Sequence, residues 1–258
     1  MTQIARYKDG QSLAYAEYGD RNGYPVLIQH GLIASIDDGY LFQPLIQAGR
    51  RLISIARPGY GASSPYPLAA MAEWAEMVSA VVDPLGLAQF DVLGMSSGAP
   101  YAYALGCAFP HRVRNIYIYS GIPALYDPDI RSQWPFALDL HATLAELEHL
   151  ANQLFFSNLS AADLQTSAIR DSMRNHAFGL ALDFWLRCRD WGFTLSEVKA
   201  PVHMQHSRRD AGVPLVTAEL TAKRLPQCTL AIKDTDVHFS PEALAEFFRA
   251  AMIGLAEN

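Results

Sequence analysis

Cysteine is scarce in this chain: three in 258 residues, Cys107, Cys188 and Cys228, widely spaced and odd in number. They match neither a disulfide framework nor a metal site, so reduced thiols are the expected state and a cytoplasmic location is favoured. The opening MTQIARYKDG has no apolar core of the kind a secretory signal needs. Long basic runs are missing too. Arg50-Arg51 and Arg208-Arg209 are no more than pairs, and the net charge is −6, which argues against a nucleic-acid partner. No internal repeat, linker or low-complexity tract stands out. One uncharged run, Val92 to Pro110, has the length of a membrane span. It holds three glycines, two prolines and two serines, so a buried core element explains it better and no membrane span is expected.

What is present is a globular composition. Half the residues are hydrophobic and 18% are charged, and the length suits one large α/β domain or a domain with an insertion. Residues 4–18 read as a hairpin turning at Asp9-Gly10. Val26-Leu27-Ile28 and Leu52-Ile53-Ser54-Ile55 are apolar strands of the type buried on both faces of a parallel sheet, with a crossover helix expected from Tyr40 to Gly49. Met71, Trp74, Val78, Val81, Val82 and Leu85 keep helical spacing, and Gly86 closes that helix. Strands are expected again at Phe90–Leu93, Val113–Tyr119, Pro201–Ser207 and Thr229–Lys233. A helix over 214–225 separates the last two. The closing helix is capped by Ser240, starts at Pro241 and carries a stripe of Leu244, Phe247, Phe248, Ala251, Met252 and Leu255.

Residues 123–190 break this alternation. They offer no convincing strand and two amphipathic helices, the first defined by Leu140, Leu144, Leu147, Ala151 and Leu154. Ser160 and Asp163 resemble a capping box that opens the second. Trp134, Phe136, Phe155, Phe156, Phe178, Phe184 and Trp185 gather here, which favours a lid over a pocket rather than extra core helices.

The chemistry is expected at Gly94-Met95-Ser96-Ser97-Gly98, between a strand and a helix. A serine hydroxyl is a weak nucleophile that needs a base and oxyanion donors beside it. Gly94 and Gly98 omit the Cβ atoms that would collide in so tight a reversal. Gly98, Ala102 and Gly106 give the following helix a small face, and Pro100 falls in its first turn, where a missing N–H costs little. Asp210 and His238 each follow a strand, as Ser96 does, and loops at the carboxyl ends of strands form the site in wound sheets. Their order, Ser, Asp, His, is that of the nucleophile elbow. His238 is expected to relay the proton of Ser96 and Asp210 to hold its imidazole, with the backbone N–H groups of Ser97 and Leu32 receiving the oxyanion. Asp127 also follows a strand and is a second candidate acid. His30 is expected to brace the oxyanion loop. His203 and His206 lie on one strand without carboxylate spacing suited to a metal, so no metal is expected.

Taken together, these motifs resemble the α/β-hydrolase fold superfamily over nearly the whole chain. The likeness includes the hairpin ending in Tyr18-Gly19, the strand into His30-Gly31, the Arg57-Pro58-Gly59-Tyr60-Gly61-Ala62-Ser63 loop, the elbow, Trp191-Gly192-Phe193, and Asp210 with Val213-Pro214. The resemblance implies an eight-stranded, mostly parallel sheet flanked by helices, with core at 1–122 and 191–258 and a helical cap at 123–190. It also favours Asp210 over Asp127. The chain departs from the family pattern at Ala56, where relatives carry aspartate and a looser loop is expected, at His206, which stands for a glycine, and at Pro100. The implied activity is that of a serine hydrolase without cofactor, cleaving a small ester with an apolar acyl part through an acyl-enzyme. A serine at the elbow argues against dehalogenase or epoxide hydrolase chemistry, and Met95 and Ser97 do not resemble a prolyl aminopeptidase elbow. Carbon–carbon hydrolases and perhydrolases share the scaffold, and a non-catalytic ligand-binding protein is the rival from another class.

Overall fold

The computed structural model describes residues 1–254. At its centre lies one sheet of eight strands: β1 (Gln3–Arg6), β2 (Ser12–Gly19), β3 (Pro25–Gln29), β4 (Arg51–Ile55), β5 (Phe90–Met95), β6 (Val113–Tyr119), β7 (Val202–Ser207) and β8 (Cys228–Lys233). Their spatial order is β1-β2-β4-β3-β5-β6-β7-β8. The sheet is mixed. β2 runs antiparallel to β1 and to β4, and the other neighbouring pairs are parallel.

Alternate side chains of each central strand feed two cores, as strand geometry requires. Val26, Ile28, Leu52, Leu93 and Met95 face Phe42, Leu45, Leu244 and Phe248. Leu27, Ile53, Val92 and Ile116 face Trp74, Val78, Tyr101 and Leu105. The first core is covered by α1 (Gln43–Gln47), which a 3-10 turn at Gly39–Phe42 precedes within the expected crossover helix. α2 (Trp74–Val82) and α3 (Ala99–Ala108) cover the second. α2 stops three residues before Leu85, and Gly86 turns the chain away at φ 65°.

α3 approaches the sheet so closely that its small face is obligatory. A Cβ on Gly98 would stand 2.0 Å from the Gln29 carbonyl oxygen, and one on Gly106 would stand 2.4 Å from Ile116 Cδ1. Both distances are far inside van der Waals contact.

Between β6 and β7 the described chain has helices and loops but no strand: α4 (Pro128–Arg131), α5 (Leu144–Ala151), α6 (Ser167–Ser172) and α7 (Arg174–Arg187). The stripe expected for the first helix is only partly realised. Leu147 and Ala151 are buried, whereas Leu140 and Leu154 are exposed, and α5 passes into a π turn at Asn152–Phe156. Ser160 and Asp163 do exchange capping bonds, but they open a single 3-10 turn. The helix itself begins after Thr166, whose hydroxyl caps Ile169 N–H. α7 starts with a left-handed turn in which Asn175, His176 and Ala177 all have positive φ. Asn175 Nδ2 donates to the Gly59 carbonyl and Asn152 Nδ2 to that of His176, tying this turn to the core loop and to α5.

Trp191 is fully buried and returns the chain to the core, its carbonyl accepting Ala72 N–H at 2.9 Å. α8 (Leu215–Arg224) joins β7 to β8. β8 is an edge strand with much of its surface in solvent rather than a core strand, Ile232 included. α9 (Pro241–Phe247) is capped by Ser240 as expected and runs into a π segment at Phe248–Ile253. Leu255, the last position of its expected stripe, lies outside the described residues. Among the described residues no helix is long and apolar enough to cross a membrane, and Cys107, Cys188 and Cys228 are all free thiols.

Candidate active site

Ser96 sits where β5 ends, between β3 and β6, and takes φ 48°. Left-handed backbone is costly for a residue with a Cβ, by about 1–2 kcal/mol. The turn is held in place from both sides. The Ser96 carbonyl accepts Ile122 N–H at 2.9 Å, and a Cβ on Gly94 would meet the Ala99 Cα and Ala102 Cβ at 3.0 Å. The geometry lifts the hydroxyl out of the sheet at its carboxyl edge.

The structure brings the three expected side chains together. His238 Nε2 lies 3.0 Å from Ser96 Oγ, and His238 Nδ1 lies 2.6 Å from Asp210 Oδ2. Asp210 is buried, and its other oxygen accepts Gly212 and Val213 N–H at 2.9 Å each. A carboxylate has no proton to give, so Nδ1 carries the hydrogen and Nε2 is left as the acceptor for the serine. Burial pushes the Asp210 carboxyl up, but the His238 bond and the Val213 N–H outweigh it and hold the group below the usual carboxylate range. The loop bearing His238 is pinned to the end of β7. Ser207 Oγ donates to the Val237 carbonyl at 2.5 Å, and Arg209 N–H to that of Thr235 at 2.9 Å.

Other candidates are engaged elsewhere. Asp127 caps α4 and accepts Arg224 Nε at 2.7 Å, so its carboxylate serves a helix start and not His238. Asp234 and Asp236 are exposed, the former paired with Arg209. His203 stacks on Tyr117. Among the described residues no group of three or more potential ligands is placed to hold a metal ion.

The loop after β3 is gripped through its carbonyls. Arg57 Nη1 donates to His30 O at 2.5 Å, Arg57 Nη2 to Gly31 O at 2.9 Å, and Tyr60 OH to Leu32 O at 2.9 Å. In a trans peptide the next N–H points opposite to the carbonyl, so Leu32 N–H faces away from Arg57. Gly31 itself packs on the elbow, its Cβ position 4.0 Å from Ser96 Cβ. Ser97 N–H belongs to the first turn of the helical segment, where no intrahelical acceptor exists. His30 braces this loop: its Nε2 accepts Arg57 N–H at 3.2 Å, which leaves Nδ1 to donate to Gly31 O at 2.8 Å. Burial, reinforced by Arg57, keeps the His30 ring neutral. Ala56 does not loosen the neighbouring loop, because its carbonyl accepts Ser63 Oγ at 2.7 Å and Arg57 is fully buried.

Two supports of the site, Asp183 and His206, carry no signal for that role in the sequence. Asp183 on α7 accepts Arg57 Nη2 at 2.6 Å, Tyr101 OH at 2.6 Å and Tyr60 OH at 3.0 Å. Arg57 and the two tyrosines are separated from it by more than eighty residues, so only the folded chain reveals the cluster. His206 lies behind the acid, its Nε2 donating to Val213 O at 2.7 Å and standing 3.7 Å from Asp210 Oδ2. The sequence marks it as a departure but not as a support.

Comparison with known proteins agrees with this architecture. A pimeloyl-[acyl-carrier protein] methyl ester esterase of Aromatoleum aromaticum is 24% identical over 76% of this chain and 83% of its own length. A 2-hydroxy-6-oxononadienedioate/2-hydroxy-6-oxononatrienedioate hydrolase of Cupriavidus pinatubonensis is 25% identical over 84% of this chain and 79% of its own. The solved structure of an esterase from Exiguobacterium antarcticum superposes with a TM-score of 0.78 at 19% identity, covering 100% of both chains. The profile of the alpha/beta hydrolase fold family matches residues 24–252, and the chain is a hydrolase belonging to that family.

Proposed function

We propose that the protein is a serine hydrolase that cleaves a small, largely apolar ester through an acyl-enzyme, with Ser96 as nucleophile, His238 as general base and acid, and Asp210 as its orienting acid. The observation that carries this reading is the unbroken chain from Ser96 Oγ to His238 Nε2 at 3.0 Å and from His238 Nδ1 to Asp210 Oδ2 at 2.6 Å. Ser96 Oγ attacks the ester carbonyl and gives its proton to Nε2. The negative charge on the carbonyl oxygen is received by the N–H groups of Leu32 and Ser97, each such donor being worth about 2.7–4 kcal/mol of barrier. The C–O bond then breaks, and His238 returns the proton to the departing alcohol. Water repeats the sequence on the acyl-enzyme, losing its proton to His238, and releases the acid with Ser96 restored.

Residues 123–190 form the cap in this reading, and Asp183 on α7 is its anchor on the loop that carries Leu32. The matched relatives include proteins named for ester cleavage and for hydrolysis of an oxodienedioate. The ester reading is tested by a hydrolysis screen over acyl chain lengths with amides and lactones alongside. Turnover of short esters that falls by about 10³-fold or more in Ser96→Ala is expected. Uniform inactivity on esters, or activity retained in Ser96→Ala, contradicts the reading.

A further inference from the structure

Arg187 closes α7, and its guanidinium atom Nη2 is shut off from solvent without a hydrogen-bond partner. The guanidinium lies 4.1 Å from the centre of the Phe184 ring. Such stacking offsets part of the cost of burying a cation but supplies no acceptor for its N–H groups. The carboxylate one helical turn earlier, Asp183, is already taken by Arg57, Tyr60 and Tyr101. Arg57 and Asp183 cancel each other in charge, so Arg187 brings one unbalanced positive charge to the site. Burial pushes its guanidinium pKa below the ordinary value, yet arginine keeps its proton at any working pH. Arg187 is only partly exposed, and a sealed, unused donor on a cation is unfavourable until an acceptor meets it; an anion does so and also balances the charge.

The same side chain lines a small cavity together with Met71, Ser97, Pro100, Tyr101, Ile122 and Asp183, whose carboxylate is already committed to Arg57 and the two tyrosines. The space has room for about one water molecule, which is also the size of one carboxylate oxygen. Ser97 follows the nucleophile directly, and Ile122 is the residue whose N–H holds the Ser96 carbonyl. The cavity therefore abuts the backbone on the carboxyl side of Ser96.

We infer that Arg187 is a specificity-determining residue that binds a carboxylate oxygen of the substrate at this cavity, so the preferred ester is apolar except for one acid group near the scissile carbonyl. The inference rests on the serine hydrolase reading and narrows its substrate class. The acid has two chemical sources, the acyl side (a half-ester of a dicarboxylic acid) or the alcohol side (an ester of a hydroxy acid).

Matched pairs of esters separate them. For the acyl side, kcat/KM on monomethyl glutarate is compared with that on methyl pentanoate, and for the alcohol side, acetoxyacetate is compared with propyl acetate. The wild-type enzyme is expected to favour the acid member of one pair. Arg187→Met should lower that acid-to-neutral ratio at least about tenfold, the scale of one charged hydrogen bond, and Arg187→Lys should keep part of it. A second measurement needs no variant: free glutarate should slow fluorophosphonate labelling of the wild-type protein, and neutral glutaramide should not. A wild-type ratio at or below one in both pairs, a ratio unmoved by Arg187→Met, or equal protection by the two additives overturns the inference alone. A protein that does not label at all overturns the hydrolase reading, and the inference with it.

Discussion

Arg57 and Asp183 form a buried, two-pronged ion pair, with Nε to Oδ1 at 3.1 Å and Nη2 to Oδ2 at 2.6 Å, that ties helix α7 to the loop after β4. Both side chains are almost wholly excluded from water. The remaining guanidinium bonds hold the His30 and Gly31 carbonyls, so the pair links the segment at 123–190 to the backbone beside Ser96. Removing one charge leaves the other buried and unmatched. Asp183→Ala should therefore cost about 3–5 kcal/mol in denaturant unfolding, and replacing both residues by apolar ones of similar volume should recover much of that loss. A cost under 1 kcal/mol for the single variant would show that the pair is not a structural link.

Asp210 and Asp127 both follow strands, and the two should behave very differently when made neutral. Asp210→Asn keeps the shape but turns an acceptor into a donor against His238 Nδ1, and kcat should fall by about 10⁴-fold. Asp127→Asn weakens the cap of α4 and its pair with Arg224, both far from the imidazole in bonding terms. Its kcat should stay within about threefold of wild type, with up to about 2 kcal/mol lost in stability. Steady-state kinetics of the two purified variants check this. A larger kinetic loss for Asp127→Asn would reverse the assignment of the acid.

His206 and His30 are both held neutral by burial, with Arg57 adding to the effect at His30. Their folded pKa values therefore lie below the unfolded value of about 6.5. As pH falls below about 6.5 the unfolded chain takes up protons at these rings that the folded chain refuses, so stability drops on acidification. Asp210 shifts the same way but only in more acid solution, since its stabilisation is lost as pH falls through a folded value below the ordinary carboxylate range. Thermal midpoints between pH 5 and 8 should fall toward the acid end in the wild type and fall less steeply in His206→Gln. Parallel curves would mean that His206 does not set this dependence.

Much of the candidate site is legible in the sequence because its signals are local. Ser96 is marked by glycines two residues on either side, and Asp210 and His238 by their places after apolar runs. The strands β3, β4, β5 and β6 carry largely apolar runs bounded by turn residues, so their existence can be read directly. The supports are not local. Asp183 and Arg187 sit four apart on α7, a spacing that in sequence looks like an ordinary exposed ion pair. Only tertiary packing commits the first to Arg57 and leaves the second without a partner. The left-handed turn at Asn175–Ala177 is similarly silent, because no glycine stands there to mark it. The stripe from Leu140 to Leu154 misleads for a related reason: helical spacing predicts one buried face, but Leu140 lies exposed ahead of α5 and Leu154 lies exposed on its π turn.

The central claim is that Ser96 is made nucleophilic by His238, and covalent labelling tests it most directly. After treatment with a fluorophosphonate, intact-mass and peptide mass spectrometry should find one adduct, located on Ser96, absent from Ser96→Ala and formed at least about 10³-fold more slowly in His238→Ala. No adduct on the wild-type protein, or an adduct that persists in Ser96→Ala, would contradict the account.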